Sequence, residues 1–71
     1  MAHEIHAEIV GSVLAVVAHE GQSLAEGDTV VILESMKMEI PVLTEEGGIL
    51  TRLAVHEGDV IQEHDLIAVV G

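Results

Sequence analysis

The stretch GSVLAVVAHEGQSLAEGDTVVILE, residues 11–34, decides the fold, because the chain contains it twice. Sliding the sequence by 37 positions aligns it with GILTRLAVHEGDVIQEHDLIAVVG, residues 48–71, and six of the 24 aligned pairs are identical. The identical pairs are Gly11/Gly48, His19/His56, Glu20/Glu57, Gly21/Gly58, Glu26/Glu63 and Asp28/Asp65. They cluster at turn positions while the aliphatic positions stay in phase, which is typical of a repeated structural unit. The two halves are therefore expected to be related by a rough two-fold axis.

Runs of β-branched and aliphatic residues bounded by Gly, Asp and Glu predict short strands. Strands are expected over residues 6–10, 12–17, 29–34, 38–43, 49–55 and 65–70, with short extended pieces at 22–24 and 59–61. The apolar runs are too short for a helical period. Short antiparallel strands at this spacing favour an all-β fold, a sandwich or flattened β-barrel of two packed sheets. Residues 1–4 are expected to fray.

The composition indicates one small domain over residues 1–71, with its core at about 6–70. The chain has no aromatic residue and no cysteine, so its core must be aliphatic and without disulfides or thiolate metal sites. Thirteen acidic residues against two basic ones give a net charge of −11, which argues against nucleic acid or an anionic membrane as a partner. The same charge suits a freely diffusing monomer that does not associate with itself. With neither a membrane-spanning apolar run nor a signal-peptide pattern, a cytoplasmic location is expected.

One segment between the two copies is not explained by building a sandwich: Glu34-Ser35-Met36-Lys37-Met38-Glu39. It places Lys37, the only lysine of the chain, at the tip of a hairpin. A lysine at a hairpin tip is ordinarily a solvated surface charge, and a methionine is ordinarily core filler. Two methionines beside an exposed tip, however, suit recognition by another protein. A primary amine can also be acylated once its proton is removed, although the flanking Glu34 and Glu39 favour the charged ammonium.

The segment Glu34-Ser35-Met36-Lys37-Met38 resembles the (Glu)-Ala-Met-Lys-Met signature of biotinyl domains, as found in biotin carboxyl carrier proteins and biotin-dependent carboxylases. The likeness runs from about residue 8 to residue 70, and overall the chain is similar to the short, stand-alone bacterial biotin/lipoyl attachment proteins. It implies a flattened β-barrel or sandwich of two four-stranded antiparallel sheets with quasi-two-fold symmetry (a barrel-sandwich hybrid). The chain departs from the pattern at Ser35, where most biotinyl domains have Ala, and at His64, which stands where the first copy has Gly27.

The resemblance implies a carrier protein rather than an enzyme. A biotin protein ligase would attach biotin covalently to Lys37, and the biotin would shuttle carboxyl groups between biotin carboxylase and carboxyltransferase sites. Met36 and Met38 would serve ligase recognition or docking, and Glu34 and Ser35 would be the flanking part of the signature.

Two alternatives stay open at this point. Lipoyl domains share the fold and the hairpin lysine, but their tip resembles Asp-Lys-Ala, whereas here it is Met36-Lys37-Met38. An unmodified sandwich domain that acts only as an adaptor would have no reason to keep these three residues.

The five histidines and the one proline lie outside the hairpin segment 34–39. His3 and His6 would point to opposite faces of an extended segment, and His19, His56 and His64 lie at turns, so no metal site is expected. Pro41 cannot donate a ladder hydrogen bond and is expected on a sheet edge or with its nitrogen facing outward.

Overall fold

The computed structural model describes residues 2–71, and these fold into two antiparallel sheets of four strands each. The strands are β1 (His3–His6), β2 (Gly11–Val16), β3 (Ser23–Leu24), β4 (Thr29–Ser35), β5 (Met38–Leu43), β6 (Gly48–Leu53), β7 (Val60–Ile61) and β8 (Leu66–Val70). One sheet has the order β1-β8-β6-β3 and the other β5-β4-β2-β7. Over residues 2–71 no helix is long and apolar enough to cross a membrane. The predicted all-β sandwich of two four-stranded sheets is confirmed.

The two sheets have the same internal order, as the sequence repeat predicts. Exchanging β1 with β5, β2 with β6, β3 with β7 and β4 with β8 converts one sheet order into the other. The turns repeat as well: a carboxylate oxygen of Asp28 accepts from the amide of Ala25 at 2.9 Å, and one of Asp65 accepts from the amide of Gln62 at 2.8 Å. The quasi-two-fold relation is therefore carried by turn hydrogen bonds as well as by strand order.

The core lies between the sheets and is purely aliphatic. Its largest fully buried side chains include Leu33, Leu50 and Ile67, one from each of three different strands. The one buried polar side chain among residues 2–71 is that of Thr44, whose hydroxyl donates to the carbonyl of Glu46 at 2.7 Å. Burial of apolar surface contributes about 25 cal/mol per Å², whatever side chain supplies the surface. The buried Val, Ile and Leu side chains therefore provide the stabilisation that aromatic residues provide in other cores.

The first strand lies earlier in the chain than predicted. Residues 6–10 were expected to be a strand and residues 1–4 to fray, but β1 is His3–His6, with His3 opposite Val70 and Glu4 opposite Val69. The reason is that residues 7–10, although Ala7 is buried with Ile5 in the core, must cross from one sheet to the other and so cannot continue a strand. Met1 lies outside the described residues.

The remaining strands begin and end within two residues of the predicted positions. The sequence singled out two further positions, His64 and Pro41. His64 has φ 78°, close to the φ of 89° at Gly27 in the first copy, so the second turn keeps the left-handed backbone and tolerates the strain. That region costs a non-glycine residue roughly 1–2 kcal/mol. Pro41 lies on β5, an edge strand, as predicted.

Candidate functional site

The β4–β5 hairpin ends in a two-residue turn formed by Met36 and Lys37. Ser35 pairs with Met38 across the hairpin, so only these two residues lie between the strands. Their φ angles are 52° and 66°, and positive values at both central positions are those of a type I′ turn, whose twist matches that of the flanking strands. Asn and Gly are the residues that such a turn normally takes, and each other residue costs roughly 1–2 kcal/mol there. Local stability therefore does not explain Met36 and Lys37.

The turn presents its side chains to solvent. Met36 is 89% exposed and Met38 is 57% exposed, and Lys37 is exposed between them. Within residues 2–71 the Lys37 amine forms no ion pair. Two large apolar side chains held in water gain nothing for the fold, whereas a flexible thioether is well suited to contact with a second protein. The predicted hairpin tip is confirmed.

Two carboxylates face each other behind the turn. Glu34 on β4 is the cross-strand partner of Glu39 on β5, and both side chains are exposed. Like charges directly opposite each other destabilise a pair of strands. Both carboxylates lie within three residues of Lys37 along the chain, so the turn carries negative charge on each side of the lysine.

Beside its turn, the hairpin is fixed to the connection between β1 and β2. The hydroxyl of Ser35 donates to the carbonyl of Val10 at 2.8 Å. A Cβ atom on Gly11 would lie 2.5 Å from the carbonyl oxygen of Glu34, closer than real Cβ atoms approach, so only glycine allows this contact. Ser35, a departure from the resembled signature, thus adds a hydrogen bond that alanine could not make.

All five site residues predicted from the sequence lie together at this end of one hairpin. They are Glu34, Ser35, Met36, Lys37 and Met38. Sequence reasoning missed the neighbouring residues Val10 and Val60, which form a shallow groove with Ser35 and Met36. Both valines are exposed. The repeat could have revealed them, because it has the non-apolar residues Gly47 and Ser23 at the positions equivalent to Val10 and Val60.

The histidines do not assemble into a site in the part of the chain that the structure describes. His3 lies 3.3 Å from a carboxylate oxygen of Glu46, whereas His6 contacts Glu4 and the carbonyl of His64. The hydrogen bond to that carbonyl, and after it the one to Glu4, raise the pKa of His6 above its ordinary value of 6.5. Among residues 2–71 no group of three or more His, Asp and Glu side chains is arranged to hold a metal ion.

The geometry is that of an exposed primary amine on a rigid hairpin at the junction of two repeats. A family model described as "Biotin-requiring enzyme", which covers biotin and lipoyl attachment, matches residues 2–70. The chain belongs to the biotin/lipoyl attachment family. Membership in this family confirms the resemblance that the sequence indicates, and together with the biotinylated relatives it indicates covalently attached biotin as the cofactor.

Similar proteins point to the biotin branch of the biotin/lipoyl attachment family. The chain is 57% identical over 70 residues to the "Biotinylated protein TB7.3 homolog" of Mycobacterium leprae, with 99% of each chain covered. It is 44% identical over 64 residues to the "Biotin-dependent acyl-coenzyme A carboxylase alpha3 subunit" of the same organism, covering 90% of this chain and 11% of that subunit. Both names refer to biotin, so the lipoyl alternative is the weaker one.

A solved carboxylase contains the same fold. The crystal structure of the Kluyveromyces lactis urea carboxylase matches with a TM-score of 0.95 at 31% identity, covering 100% of this chain and 6% of the carboxylase. The chain therefore spans only a small part of the two carboxylases that it resembles.

Proposed function

We propose that Lys37 is the residue to which biotin is attached and that the protein is a carrier, not an enzyme in its own right. The observation that carries the proposal is the position of this lysine. It is the only lysine of the chain, and it lies in a strained, exposed turn between two methionines. A biotin protein ligase would therefore meet one exposed lysine amine and no competing lysine.

The residues present fit covalent biotin. Attachment needs an amine that is free of ion pairs and open to a large enzyme, and Lys37 meets both conditions among residues 2–71. Once deprotonated, the Nζ atom attacks the activated carboxyl carbon of biotin, so that an amide bond forms and the activating group leaves. Conversion of the ammonium to an amide removes one of the two basic charges of the chain.

Bound biotin supplies a group that can carry a carboxyl group, and the protein supplies position. The four-carbon stem of Lys37 and the exposed turn hold the attachment point away from the sheets. The Ser35–Val10 hydrogen bond and the close approach of Gly11 to Glu34 keep the hairpin fixed relative to the core. A rigid base with one flexible arm suits a carrier that must visit two separate catalytic sites.

The partners that we propose follow from this role. A biotin carboxylase and a carboxyltransferase would act in turn on the tethered group, and the biotin-dependent carboxylase among the relatives supports this assignment. We propose that Met36 and Met38 contact the ligase, because these exposed side chains do not pack in the core.

The mass of the intact protein, purified from its native host, tests the proposal. We expect an increment of one biotinyl group on the wild-type chain and none on Lys37→Arg, which keeps the charge and the fold. A lipoyl increment would contradict the choice of cofactor. An unmodified chain isolated from cells with ample biotin and ligase would contradict the carrier function.

A further inference from the structure

A shallow groove lies beside the lysine hairpin, with an apolar floor. Met36, Val60 and Val10 line it with 89%, 72% and 55% of their surfaces exposed, and the half-buried Ile9 packs between them and the core. Val60 gains little from its own sheet, since its cross-strand neighbour on β2 is Ser12. Apolar side chains grouped in this way at a surface mark a contact with another protein.

The internal repeat shows that the fold does not need these apolar residues. At the positions equivalent to Ile9, Val10 and Val60, the other half of the chain has Glu46, Gly47 and Ser23. Both halves form the same strands in the same order, so the polar set supports the architecture as well as the apolar set does. The apolar floor is therefore found at the end of the molecule that carries Lys37, whereas the equivalent place in the other half has non-apolar residues.

Carboxylates surround the apolar floor. Glu8, Glu34 and Glu63 line the groove, and none of its lining residues within the described part of the chain is basic. The chain as a whole carries a net charge of −11. A surface of this kind complements one that presents an apolar side chain between lysine or arginine residues.

The groove is mechanically coupled to the lysine. Ser35 belongs both to the groove and to the hairpin, and its hydroxyl donates to the carbonyl of Val10, which also lines the groove. A partner seated in the groove would therefore contact residues that are joined directly to the turn. An enzyme that acts on the bare amine needs such a grip within the reach of one lysine side chain, whereas an enzyme that acts at the end of a biotin arm does not.

We infer that this groove is the docking site for a basic, apolar-centred surface of the ligase that modifies Lys37. The inference rests on the proposed function, since it names the surface by which the ligase holds the chain. It assigns binding to Val10, Val60, Glu8 and Glu63, which lie outside the hairpin signature.

The test is the steady-state kinetics of biotin attachment, with purified unmodified protein, biotin, ATP and the biotin protein ligase of the source organism. Val60→Ser introduces the residue that the repeat has at Ser23, and we expect it to raise KM about fivefold with little change in kcat. Glu63→Gln is expected to raise KM about threefold at low salt, an effect that shrinks as salt screens the charges. Thermal unfolding of each variant checks that it is folded.

Two control variants use the same substitutions away from the groove. Val17→Ser changes a valine that is 53% exposed beside Val30, at the far end of β4 from Ser35. Glu26→Gln changes the repeat equivalent of Glu63. Both are expected to keep the wild-type KM.

The outcomes separate this inference from the proposed function. A wild-type chain that the ligase does not modify contradicts the proposed function. Normal modification of the wild type, with KM unchanged in Val60→Ser and Glu63→Gln or raised equally in the controls, overturns the docking site alone. A defect that appears only in later carboxylation assays would also overturn it, since the groove would then serve another partner.

Discussion

Ser35 donates a hydrogen bond to the carbonyl of Val10 at 2.8 Å, across 25 positions of sequence, and thereby joins the lysine hairpin to the connection between the two sheets. The bond exists because this chain has serine where most biotinyl domains have alanine. It ties the hairpin to the segment between β1 and β2, which a two-residue turn could not do by itself.

Replacement of this serine should cost stability without blocking attachment. We expect Ser35→Ala to lower the free energy of unfolding by about 0.5–1.5 kcal/mol, the net contribution of one hydrogen bond. Urea denaturation measures the change. Ser23→Ala, at an exposed position on β3, is the control and should be close to neutral. Equal effects of the two variants would show that the bond contributes nothing.

His64 stores backbone strain that glycine would release. Its φ of 78° lies in the region that the first copy fills with Gly27. We expect His64→Gly to raise the free energy of unfolding by about 0.5–1 kcal/mol, because relief of the left-handed strain exceeds the added freedom of the unfolded chain. His56→Gly, a turn position without a positive φ, should instead lower it. A loss of stability in both variants would contradict the strain.

The pKa of His6 predicts a pH dependence. The ring can donate to the carbonyl of His64 and to Glu4 at the same time only when it is protonated, and the pKa is raised. A raised pKa in the folded state adds stability that is fully present below about pH 6.5, the unfolded value, and is lost as the pH rises through the folded value.

Thermal unfolding between pH 5 and pH 8 measures this effect as the difference between the wild type and His6→Gln. The difference should be largest at acid pH and shrink as the pH rises. The glutamine keeps a donor but cannot titrate. A difference that is constant with pH would contradict the role of the imidazolium.

The two methionines should matter for modification and not for folding. Met36 and Met38 are mostly exposed, so the double substitution by alanine should leave the melting temperature nearly unchanged. If both side chains contact the ligase, KM for biotin attachment should rise about tenfold, as expected for the loss of two apolar contacts. Wild-type kinetics in the double variant would remove them from the recognition surface.

The sequence predicted the architecture well because the repeat doubles every signal. Asp28 and Asp65 mark equivalent turns, so a misplaced strand in one half conflicts with the other half. The first strand was misplaced because residues 6–10 alternate like a strand, yet the chain needs them to cross between the sheets. The alternation of apolar and polar residues does not show where the chain has to pass from one sheet to the other.

The site was predictable in part for the same reason. Lys37 lies at the junction of the repeats, which sequence spacing reveals directly. The Ser35–Val10 hydrogen bond, and the groove that Val60 shares with Ser35 and Met36, bring together residues that are far apart in sequence. Both follow only from the order of strands in the sheet. The positive φ at Met36 likewise depends on a turn of two residues, which fixes its geometry through register.

Peptide mass spectrometry of the protein purified from its native host tests the central claim most directly. We expect a biotinyl group on the peptide that contains Lys37. The purified Lys37→Arg protein, produced in the same host, should not react with streptavidin. The arginine variant should melt at the wild-type temperature, because the side chain is exposed and unpaired within residues 2–71. A biotinyl group at any other position, or streptavidin-reactive Lys37→Arg protein, would contradict the assignment of Lys37.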